Sequence, residues 1–348
     1  MVTVKKKNNI LVIRLSAIGD VAMTVPVLWS YSKSFPESTI TFVSQQFATH
    51  FIYHIPGVNF IEADIKGRHA GFFGIIRLFF NLKKRGDWDV IIDLHDVIRT
   101  KVLRCLFLIF GYKVVKIDKG RKEKYELTRI SNKKLKQLDH TILRYKNAFL
   151  KAGFDFDIQF DYIFSKAQLT EKITGITGFK QQKWIGIAPM AKHKGKIYPI
   201  QYMEKVITEL TKNSDNKIFL IGGGQEEKEM LESWEKKFPN TLSLAHKLSL
   251  YEELKVFSNM DILVTMDSAN MHLASLVNTP VVSIWGATHP YAGFYGWNQN
   301  PNHAVQIDLP CRPCSIYGNK PCFRKDYACL NNISPDVVIN KINSIIVR

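Results

Sequence analysis

The sequence predicts an α/β fold built from two parallel-sheet halves, and two short segments carry that prediction. They span residues 8–21 and residues 261–274. Each consists of an apolar strand, a small polar turn that carries an Asp, and the start of a helix. Buried parallel strands are almost continuously apolar, and ligands bind beyond their carboxyl ends. We therefore expect two such edges that face each other across a cleft.

The length of the chain favours two domains, because 348 residues exceed one ordinary α/β core. A hydrophobic content of 46%, with 12% aromatic residues, is typical of globular proteins. We expect an N-terminal domain over residues 1–165 and a C-terminal domain over residues 183–348. The last helix is a candidate to pack back on the N-terminal domain.

Strands and helices are predicted to alternate along both halves. The predicted strands are residues 10–15, 39–44, 59–65, 89–94, 113–118, 184–188, 217–221, 241–244, 262–265 and 281–285. The predicted helices are residues 21–34, 71–84, 99–110, 139–152, 200–212, 225–238, 250–259, 270–277 and 335–346. Short connections between such elements predict parallel sheets with right-handed crossovers. The polar stretch 119–136 is predicted to be a mobile loop.

Positive charge is concentrated in the first half of the chain. The net charge is +17, and residues 1–165 hold 27 Lys and Arg against 15 Asp and Glu. Within residues 99–136, 13 basic residues accompany three acidic ones. The cluster indicates a polyanionic partner such as an anionic lipid or a phosphorylated or carboxylated substrate. A solvated basic loop is the alternative. Nucleic acid is disfavoured because no zinc-finger, RNP or basic-zipper pattern accompanies the charge.

The sequence shows neither a secretory signal nor a membrane span. Lys5-Lys6-Lys7 leads into a short strand without the apolar region of a signal peptide. The longest apolar stretches, residues 72–82 and 102–110, are too short and too interrupted to cross a bilayer. We expect a cytosolic or peripheral membrane enzyme. Cys105 lies on an apolar predicted helix, so we expect it to belong to the core.

Asp20 is a candidate general base. It follows the first strand in Ser16-Ala17-Ile18-Gly19-Asp20, where Gly19 permits a tight turn and Asp20 enters the first turn of a helix. A purely structural aspartate is the alternative. The segment lacks the three glycines of a dinucleotide fingerprint.

The second segment supplies candidate phosphate ligands. Asp267 precedes a helix whose first free amides, at Ser268, Ala269 and Asn270, favour anions. His272 lies in the same turns and adds a donor, although a lone histidine is more often a buried structural residue.

Two other connections in the second half carry ligand chemistry. Gly222-Gly223-Gly224 lets the backbone approach a nucleotide, and a carboxylate after it suits ribose hydroxyls. Lys192, Lys194 and Lys196 follow another strand, where one ammonium can neutralise a diphosphate leaving group in place of Mg²⁺. The pattern Asp87-Trp88-Asp89 lies at the start of a strand, the wrong edge for catalysis, so metal-assisted transfer is disfavoured.

Four of the five cysteines cluster near the C-terminus: Cys311, Cys314, Cys322 and Cys329. Four thiolates can hold Zn²⁺ in a tetrahedral structural site, but this spacing is not that of a standard zinc ribbon. A cytosolic chain keeps its thiols reduced, which disfavours disulfides. Zinc, free thiols and disulfides all remain hypotheses.

Together these motifs resemble glycosyltransferase family 9, the ADP-heptose:lipopolysaccharide heptosyltransferases, over nearly the whole chain. The matching motifs are residues 16–21 with Thr24-Val25-Pro26, residues 92–95 with Arg99, residues 196–199, and residues 267–272 running into 283–288. The resemblance implies a GT-B fold: two Rossmann-like domains with parallel sheets facing a central cleft, the acceptor bound N-terminally and the donor C-terminally.

By position, the resemblance implies roles for single residues. Asp20 falls on the catalytic base, and Lys196 falls on the diphosphate-binding lysine. The implied donor contacts are Asp267, Ser268, Ala269, Asn270 and His272, with Glu226 at the ribose and Leu248 near adenine. Arg99 and Lys122, in the basic half, are the candidate acceptor contacts. Ala191 and Ala269-Asn270 depart from residues common in the family, which bears on the donor sugar.

The predicted function is inverting, metal-independent transfer of a heptose from ADP-heptose to an anionic lipopolysaccharide core and lipid A acceptor. It would take place at the cytoplasmic face of the bacterial inner membrane and need no cofactor. The alternatives are a glycosyltransferase for another nucleotide sugar, a sugar-nucleotide epimerase or hydrolase, and a nucleotide-binding assembly protein without catalysis. An epimerase or hydrolase would consume the donor without an acceptor, whereas an assembly protein would bind ADP without turnover.

Overall fold

The computed structural model describes residues 7–346 and contains two parallel β-sheets with helices packed against them. Lys5 and Lys6, on which the signal-peptide prediction partly rests, lie outside the described residues. The first sheet consists of β1 (Asn9–Ile13), β2 (Thr39–Ser44), β3 (Val58–Glu62), β4 (Val90–Asp93) and β5 (Val114–Lys116). The second consists of β6 (Lys183–Ala188), β7 (Asn216–Leu220), β8 (Thr241–Ser243), β9 (Ile262–Met266), β10 (Val281–Ile284) and β11 (Ala304–Val305).

Fourteen α-helices connect and cover these strands within the described chain. The first seven are α1 (Ile18–Ala22), α2 (Val25–Ser34), α3 (Thr49–Ile52), α4 (Gly71–Arg85), α5 (Ile98–Ile109), α6 (Arg121–Thr128) and α7 (Thr141–Ala152). The others are α8 (Glu171–Thr177), α9 (Ile200–Leu210), α10 (Gln225–Lys237), α11 (Leu250–Phe257), α12 (Ala269–Ser275), α13 (Ala328–Asn331) and α14 (Pro335–Ile346). None of the helices in residues 7–346 combines the length and hydropathy needed to cross a bilayer.

The helix predicted over residues 21–34 is interrupted. α1 ends at Ala22, and α2 begins at Val25 with Pro26 in its first turn. Proline has no N–H to donate within a helix interior, but it is well accommodated in the first turn of a helix. A new helix therefore begins next to Pro26, and the first helix does not continue through it.

Contacts between residues divide the chain into two compact units. The first extends as far as Lys119 and resumes over Asp139–Asp161, and the second comprises Gly120–Leu138 and the chain from Tyr162 onward. Gly120–Leu138 thus groups with the second unit, although it lies within the predicted domain 1–165.

The segment Gly120–Leu138 is not the mobile loop that its polarity predicts. It contains α6, and Leu127 and Leu138 pack with Ala292 in a small apolar cluster. Lys124 is buried, with its Nζ 4.5 Å from the centroid of the Phe294 ring. Lys124 can be buried because a long aliphatic stem packs inside the unit when its ammonium meets an aromatic face.

The first sheet has the order β3-β2-β1-β4-β5, with all neighbours parallel. α4 and α5 cover one face, where Leu78, Phe79, Leu103 and Phe107 pack on strand residues such as Ile13. The other side of the unit carries an aromatic cluster made by Tyr31, Phe149, Phe154 and Phe156.

Cys105 is exposed, so the prediction that it belongs to the core is wrong. The buried residues of α5 are Thr100, Leu103 and Phe107, and Leu103 and Phe107 belong to the core of the first unit. In a 3.6-residue repeat, position 105 between them lies on the opposite side of the helix.

The second sheet has the order β11-β10-β9-β6-β7-β8, again with parallel neighbours. Its core includes residues from α9 and α10 together with Val338, Ile339 and Ile342 of α14. The C-terminal helix is therefore part of the second unit's core.

Candidate functional site

Asp20 lies beyond the carboxyl end of β1 as the third residue of α1. Its Oδ2 is 2.7 Å from Nη2 of Arg14 and accepts a hydrogen bond from the Ala17 amide at 3.4 Å. Arg14 is buried, whereas the Asp20 side chain is 31% exposed. Nη1 of Arg14 also donates to the Leu94 carbonyl at 2.8 Å. The guanidinium thus orients a carboxylate that solvent can still reach.

A buried polar network joins the carboxyl ends of β1 and β4. The Leu15 amide donates to Nδ1 of His95 at 3.3 Å, and the His95 amide donates to Oδ1 of Asp93 at 2.8 Å. Asp93 in turn lies 3.4 Å from Nη1 of Arg104. Burial, assisted by the charge of Arg14, lowers the pKa of His95 to about 3. The imidazole is therefore neutral at physiological pH, and this network fixes the sheet edge next to Asp20.

The two predicted acceptor contacts are exposed residues of different units. Arg99 lies in the first turn of α5, just beyond the carboxyl end of β4 in the first unit. Lys122 lies on α6 and belongs to the second unit.

In the second unit, Lys196 and Asp267 form an ion pair with 2.8 Å between Nζ and Oδ2. Asp267 follows β9, and Lys196 ends a short 3-10 turn (Lys194–Lys196) that follows β6, the neighbouring strand. Gly318 has φ +74°, and a Cβ there would lie 2.6 Å from Cγ of Lys196. Only a glycine at this position leaves room for the lysine stem.

Ser268 immediately precedes α12, and residues 269–272 form its first turn. Oγ of Ser268 lies 3.0 Å from Oγ1 of Thr265, which ties the turn to β9. Ala269 and Asn270 are partly exposed, whereas His272 is buried. The start of α12 is therefore partly exposed, and His272 lies deeper in the unit.

Glu227, the neighbour of the predicted ribose contact Glu226, holds the glycine-rich turn after β7. Its Oε2 accepts hydrogen bonds from the amides of Gly223 and Gly224 at 2.8 and 3.3 Å. Glu226 stands next to it and is exposed. The two adjacent carboxylates thus have different environments, and Glu226 is the more accessible one.

His246 links two loops at the same sheet edge and was not predicted from the sequence. Its Nε2 lies 3.0 Å from the Gly223 carbonyl oxygen, and its φ is +60°. It precedes the half-buried Leu248 in the connection between β8 and α11. No local motif marks this residue, since its partner Gly223 lies in the turn after another strand, β7.

The strand order brings the predicted donor residues together. β9, β6, β7 and β8 are consecutive neighbours, and their carboxyl ends lead to Asp267, Lys196, Glu226 and Leu248 respectively. Because parallel strands end at one edge of their sheet, these four residues lie along a single edge of the second unit.

Arg312 was also not predicted from the sequence, and it is buried. Its Nε donates to the Gly286 carbonyl at 2.6 Å, and Nη2 donates to the Thr288 carbonyl at 3.0 Å. The loop that it holds also contains Ala287, whose amide donates to the Gly195 carbonyl at 2.8 Å. Arg312 therefore supports the turn that carries the neighbouring Lys196.

The C-terminal cysteines are free thiols and are not gathered into a metal site. Over residues 7–346, no group of three or more His, Cys, Asp or Glu side chains is placed to hold a metal ion. Burial raises the pKa of Cys314 and raises that of Cys329 to about 11. As arranged here, Cys311, Cys314, Cys322 and Cys329 do not form the tetrahedral thiolate site of structural zinc, which stays a hypothesis.

Curated relatives of the chain are heptosyltransferases. Lipooligosaccharide heptosyltransferase 2 of Campylobacter jejuni is 21% identical over 336 residues, which cover 94% of this chain and 96% of that protein. Lipopolysaccharide heptosyltransferase 1 of Campylobacter coli is 28% identical over 313 residues, which cover 84% and 88%.

Solved structures share the fold. The glycosyl transferase family 9 protein from Veillonella parvula matches with a TM-score of 0.74 at 19% identity, covering 98% of this chain and 97% of that one. The E. coli heptosyltransferase WaaC with ADP matches with a TM-score of 0.69 at 18% identity, covering 97% and 99%. The prediction of a GT-B fold with two parallel-sheet, Rossmann-like units is confirmed.

A family model described as glycosyltransferase family 9 (heptosyltransferase) matches residues 75–321, which is well over half of the chain. The chain therefore belongs to glycosyltransferase family 9, and the predicted family and enzyme class are confirmed.

Proposed function

We propose that the protein transfers a heptose from ADP-heptose to an inner-core sugar of lipopolysaccharide, with inversion and without a metal ion. One observation carries the proposal: the ion pair of Lys196 with Asp267 lies on the same sheet edge as Glu226 and Leu248. The names of the relatives support the sugar and the acceptor, and the WaaC structure with ADP supports the nucleotide.

The donor would lie along the carboxyl edge of the second sheet. Adenine would pack near Leu248, and the ribose hydroxyls would donate to Glu226. The diphosphate would accept hydrogen bonds from Lys196 and from the amides of residues 268–270, with His272 as a further donor. Asp267 holds the Lys196 ammonium in place before the donor arrives, so little reorganisation is needed on binding.

Asp20 would accept the proton of the acceptor hydroxyl as that oxygen attacks the anomeric carbon. The new glycosidic bond forms while the bond from the anomeric carbon to the β-phosphate oxygen breaks, and ADP leaves with the electron pair. A single displacement from the face opposite ADP inverts the configuration. Lys196 would stabilise the charge that develops on the leaving phosphate. The proposal requires that Asp20 reach the acceptor hydroxyl while the second unit holds the donor.

The acceptor would be recognised through its negative charge. Arg99 and Lys122 are exposed cations suited to the carboxylates of core sugars and the phosphates of lipid A. Because this acceptor is a lipid, we place the reaction on the cytoplasmic face of the bacterial inner membrane. Nucleic acid is not a proposed partner.

The proposed reaction assigns no step to a metal ion or an organic cofactor. The cation at the diphosphate is Lys196, and the pattern Asp87-Trp88-Asp89 serves the start of a strand instead, where the Asn9 amide donates to Asp89 at 2.7 Å. Structural zinc at the four clustered cysteines stays a hypothesis outside the mechanism.

The proposal is tested by incubating the purified chain with ADP-heptose and a heptose-free lipopolysaccharide acceptor. Mass spectrometry should show an acceptor heavier by one heptose and an equal amount of ADP, with no donor consumed when the acceptor is omitted. Donor consumption without acceptor would favour an epimerase or hydrolase. ADP binding without turnover of any donor would favour a nucleotide-binding assembly protein. Transfer from another nucleotide sugar would mean that its sugar, and not heptose, is the group transferred.

A further inference from the structure

We propose that the outer surface of α4 and α5 is a docking surface for an anionic lipid bilayer. This surface, called the α4–α5 face below, carries large apolar side chains that are exposed to solvent. They are Phe72 (62% exposed), Phe73 (83%), Phe80 (54%), Ile98 (80%), Leu108 (57%) and Ile109 (77%).

The exposed residues are not leftovers of a poorly packed core. The inner sides of both helices are already buried in the first unit through Leu78, Phe79, Leu103 and Phe107. α4 and α5 are therefore apolar on two sides, one against the sheet and one against solvent. Helices with this pattern are typical of buried or membrane-contacting positions, not of a helix whose outer side meets water.

The charges of the α4–α5 face select the partner. The two helices together contain seven Lys and Arg and no Asp or Glu: Arg77, Lys83, Lys84, Arg85, Arg99, Lys101 and Arg104. Arg104 is turned inward toward Asp93, whereas Arg77, Lys84, Arg85 and Lys101 are exposed. Apolar side chains flanked by cations suit an interface of anionic headgroups and acyl chains.

The same charges disfavour a second copy of the chain as the occupant. Two α4–α5 faces pressed together would bring like charges into contact without a carboxylate on either helix to pair them. One of these cations, Lys83, contacts an aromatic ring of the same surface. Its Nζ lies 3.9 Å from the centroid of the exposed Phe110 ring, so its aliphatic stem lies along the apolar surface.

The α4–α5 face begins at the sheet edge that carries Asp20. α4 follows the carboxyl end of β3 and α5 follows that of β4, so Phe72, Phe73 and Ile98 lie at that edge. Docking would hold the edge next to the lipid surface. Docking would help the enzyme meet a lipid-anchored acceptor, and this benefit rests on the proposed function. The docking surface itself does not rest on it.

The test is co-sedimentation of the full chain with vesicles of phosphatidylcholine, with or without phosphatidylglycerol. The chain should bind the anionic vesicles at least tenfold more tightly than the neutral ones. Phe73→Ser with Ile109→Ser, and separately Lys84→Gln with Arg85→Gln, should each weaken that binding at least tenfold without lowering the melting temperature. The matched control is Phe179→Ser with Ile130→Ser, which changes two equally exposed apolar residues (77% and 78%) of the second unit and should leave binding unchanged.

Cys105 provides a native reporter for contact with lipid. It is exposed on α5 between Lys101 and Ile109, whereas Cys322 in the second unit serves as the internal control. Anionic vesicles should slow maleimide labelling of Cys105, measured by mass spectrometry of its peptide, and should leave labelling of Cys322 unchanged.

Three results would overturn the proposal: equal binding to neutral and anionic vesicles, binding that both α4–α5 variants retain, or loss of binding only on Arg121→Gln with Lys122→Gln in α6. A change of oligomeric state in the α4–α5 variants without a change in vesicle binding would point to a second copy instead.

Transfer to a delipidated, soluble acceptor separates the docking proposal from the proposed function. The α4–α5 variants should keep that activity, and its absence in the unaltered chain would remove the proposed function while the vesicle results stand.

Discussion

Arg14 and Asp20 form an ion pair of 2.7 Å in which the guanidinium is buried and the carboxylate is partly exposed. Arg14 is held by the Leu94 carbonyl, so its position depends on β4 as well as on its own strand. The carboxylate therefore has its orientation set from inside the first unit before any acceptor binds. This makes Asp20 the best-placed candidate base at that sheet edge, with Arg14 as its positioning residue.

Asp20→Asn should lower kcat by about 10²–10⁴-fold, because an amide cannot accept the proton of the attacking hydroxyl. ADP binding, measured by calorimetry, should remain near normal, since the donor is assigned to the second unit. Asp157→Asn, at a side chain that is 91% exposed in the same unit, is the control and should be silent. A near-normal kcat in Asp20→Asn would remove this residue from the mechanism.

Lys196→Ala should weaken ADP binding and slow transfer by about 10²–10³-fold, because it removes the cation proposed to stabilise the leaving diphosphate. Lys192→Ala changes an exposed lysine of the same connection and should have little effect. EDTA should leave the activity of the unaltered enzyme intact. Activity that EDTA abolishes and Mg²⁺ restores would contradict the metal-free reaction.

His95 should make the first unit less stable in acid. Its pKa is about 3 in the folded chain against an ordinary 6.5, so between these values the unfolded chain binds a proton that the folded chain excludes. The contribution of neutral, buried His95 to the free energy of unfolding is fully present above pH 6.5. It is lost as the pH falls toward 3, by at most about 1.4 kcal/mol per pH unit. Urea unfolding across this range should show a shallower pH dependence for His95→Gln than for the unaltered chain. Parallel slopes for the two proteins would refute the assignment.

Lys124→Ala should destabilise the second unit by about 1–2 kcal/mol, because it removes a buried aliphatic stem and the ammonium over the Phe294 ring. Lys122→Ala, on the exposed side of the same helix, should change the free energy of unfolding by less than about 0.5 kcal/mol. Thermal unfolding of both variants measures the difference. Equal effects would mean that α6 does not pack as described.

The five cysteines should all react with a thiol reagent in the denatured, unreduced chain, and elemental analysis should find no stoichiometric zinc, since all five are free thiols here. About one zinc ion per chain, with four thiols protected in the native state, would instead establish the four-thiolate site. Thiol labelling and elemental analysis together decide between free thiols, disulfides and zinc.

Much of the fold was predictable because its signals are local. Each of the ten predicted strands overlaps an observed one, since buried parallel strands appear in the sequence as short apolar runs. The short strand β11 and helices such as α3, α6 and α8 were missed, because a few residues of mixed polarity carry no periodicity. The family was equally accessible, since its motifs are contiguous turns.

Other features depend on partners far away in the chain, so they are visible only in the folded structure. The Arg14 guanidinium is held by the Leu94 carbonyl and the Asp20 carboxylate. The Arg312 guanidinium is held by the carbonyls of a loop some 25 residues earlier. Gly120–Leu138 lies within the first half of the sequence yet packs in the second unit.

Sequence alone predicts the strand–turn–helix units, the family and the residue types at each turn, because these depend on neighbours along the chain. The tertiary structure decided which turns share an edge, which lysines are buried and which apolar side chains stay in water. Those properties follow from strand order and helix orientation, which bring together residues that no local pattern connects.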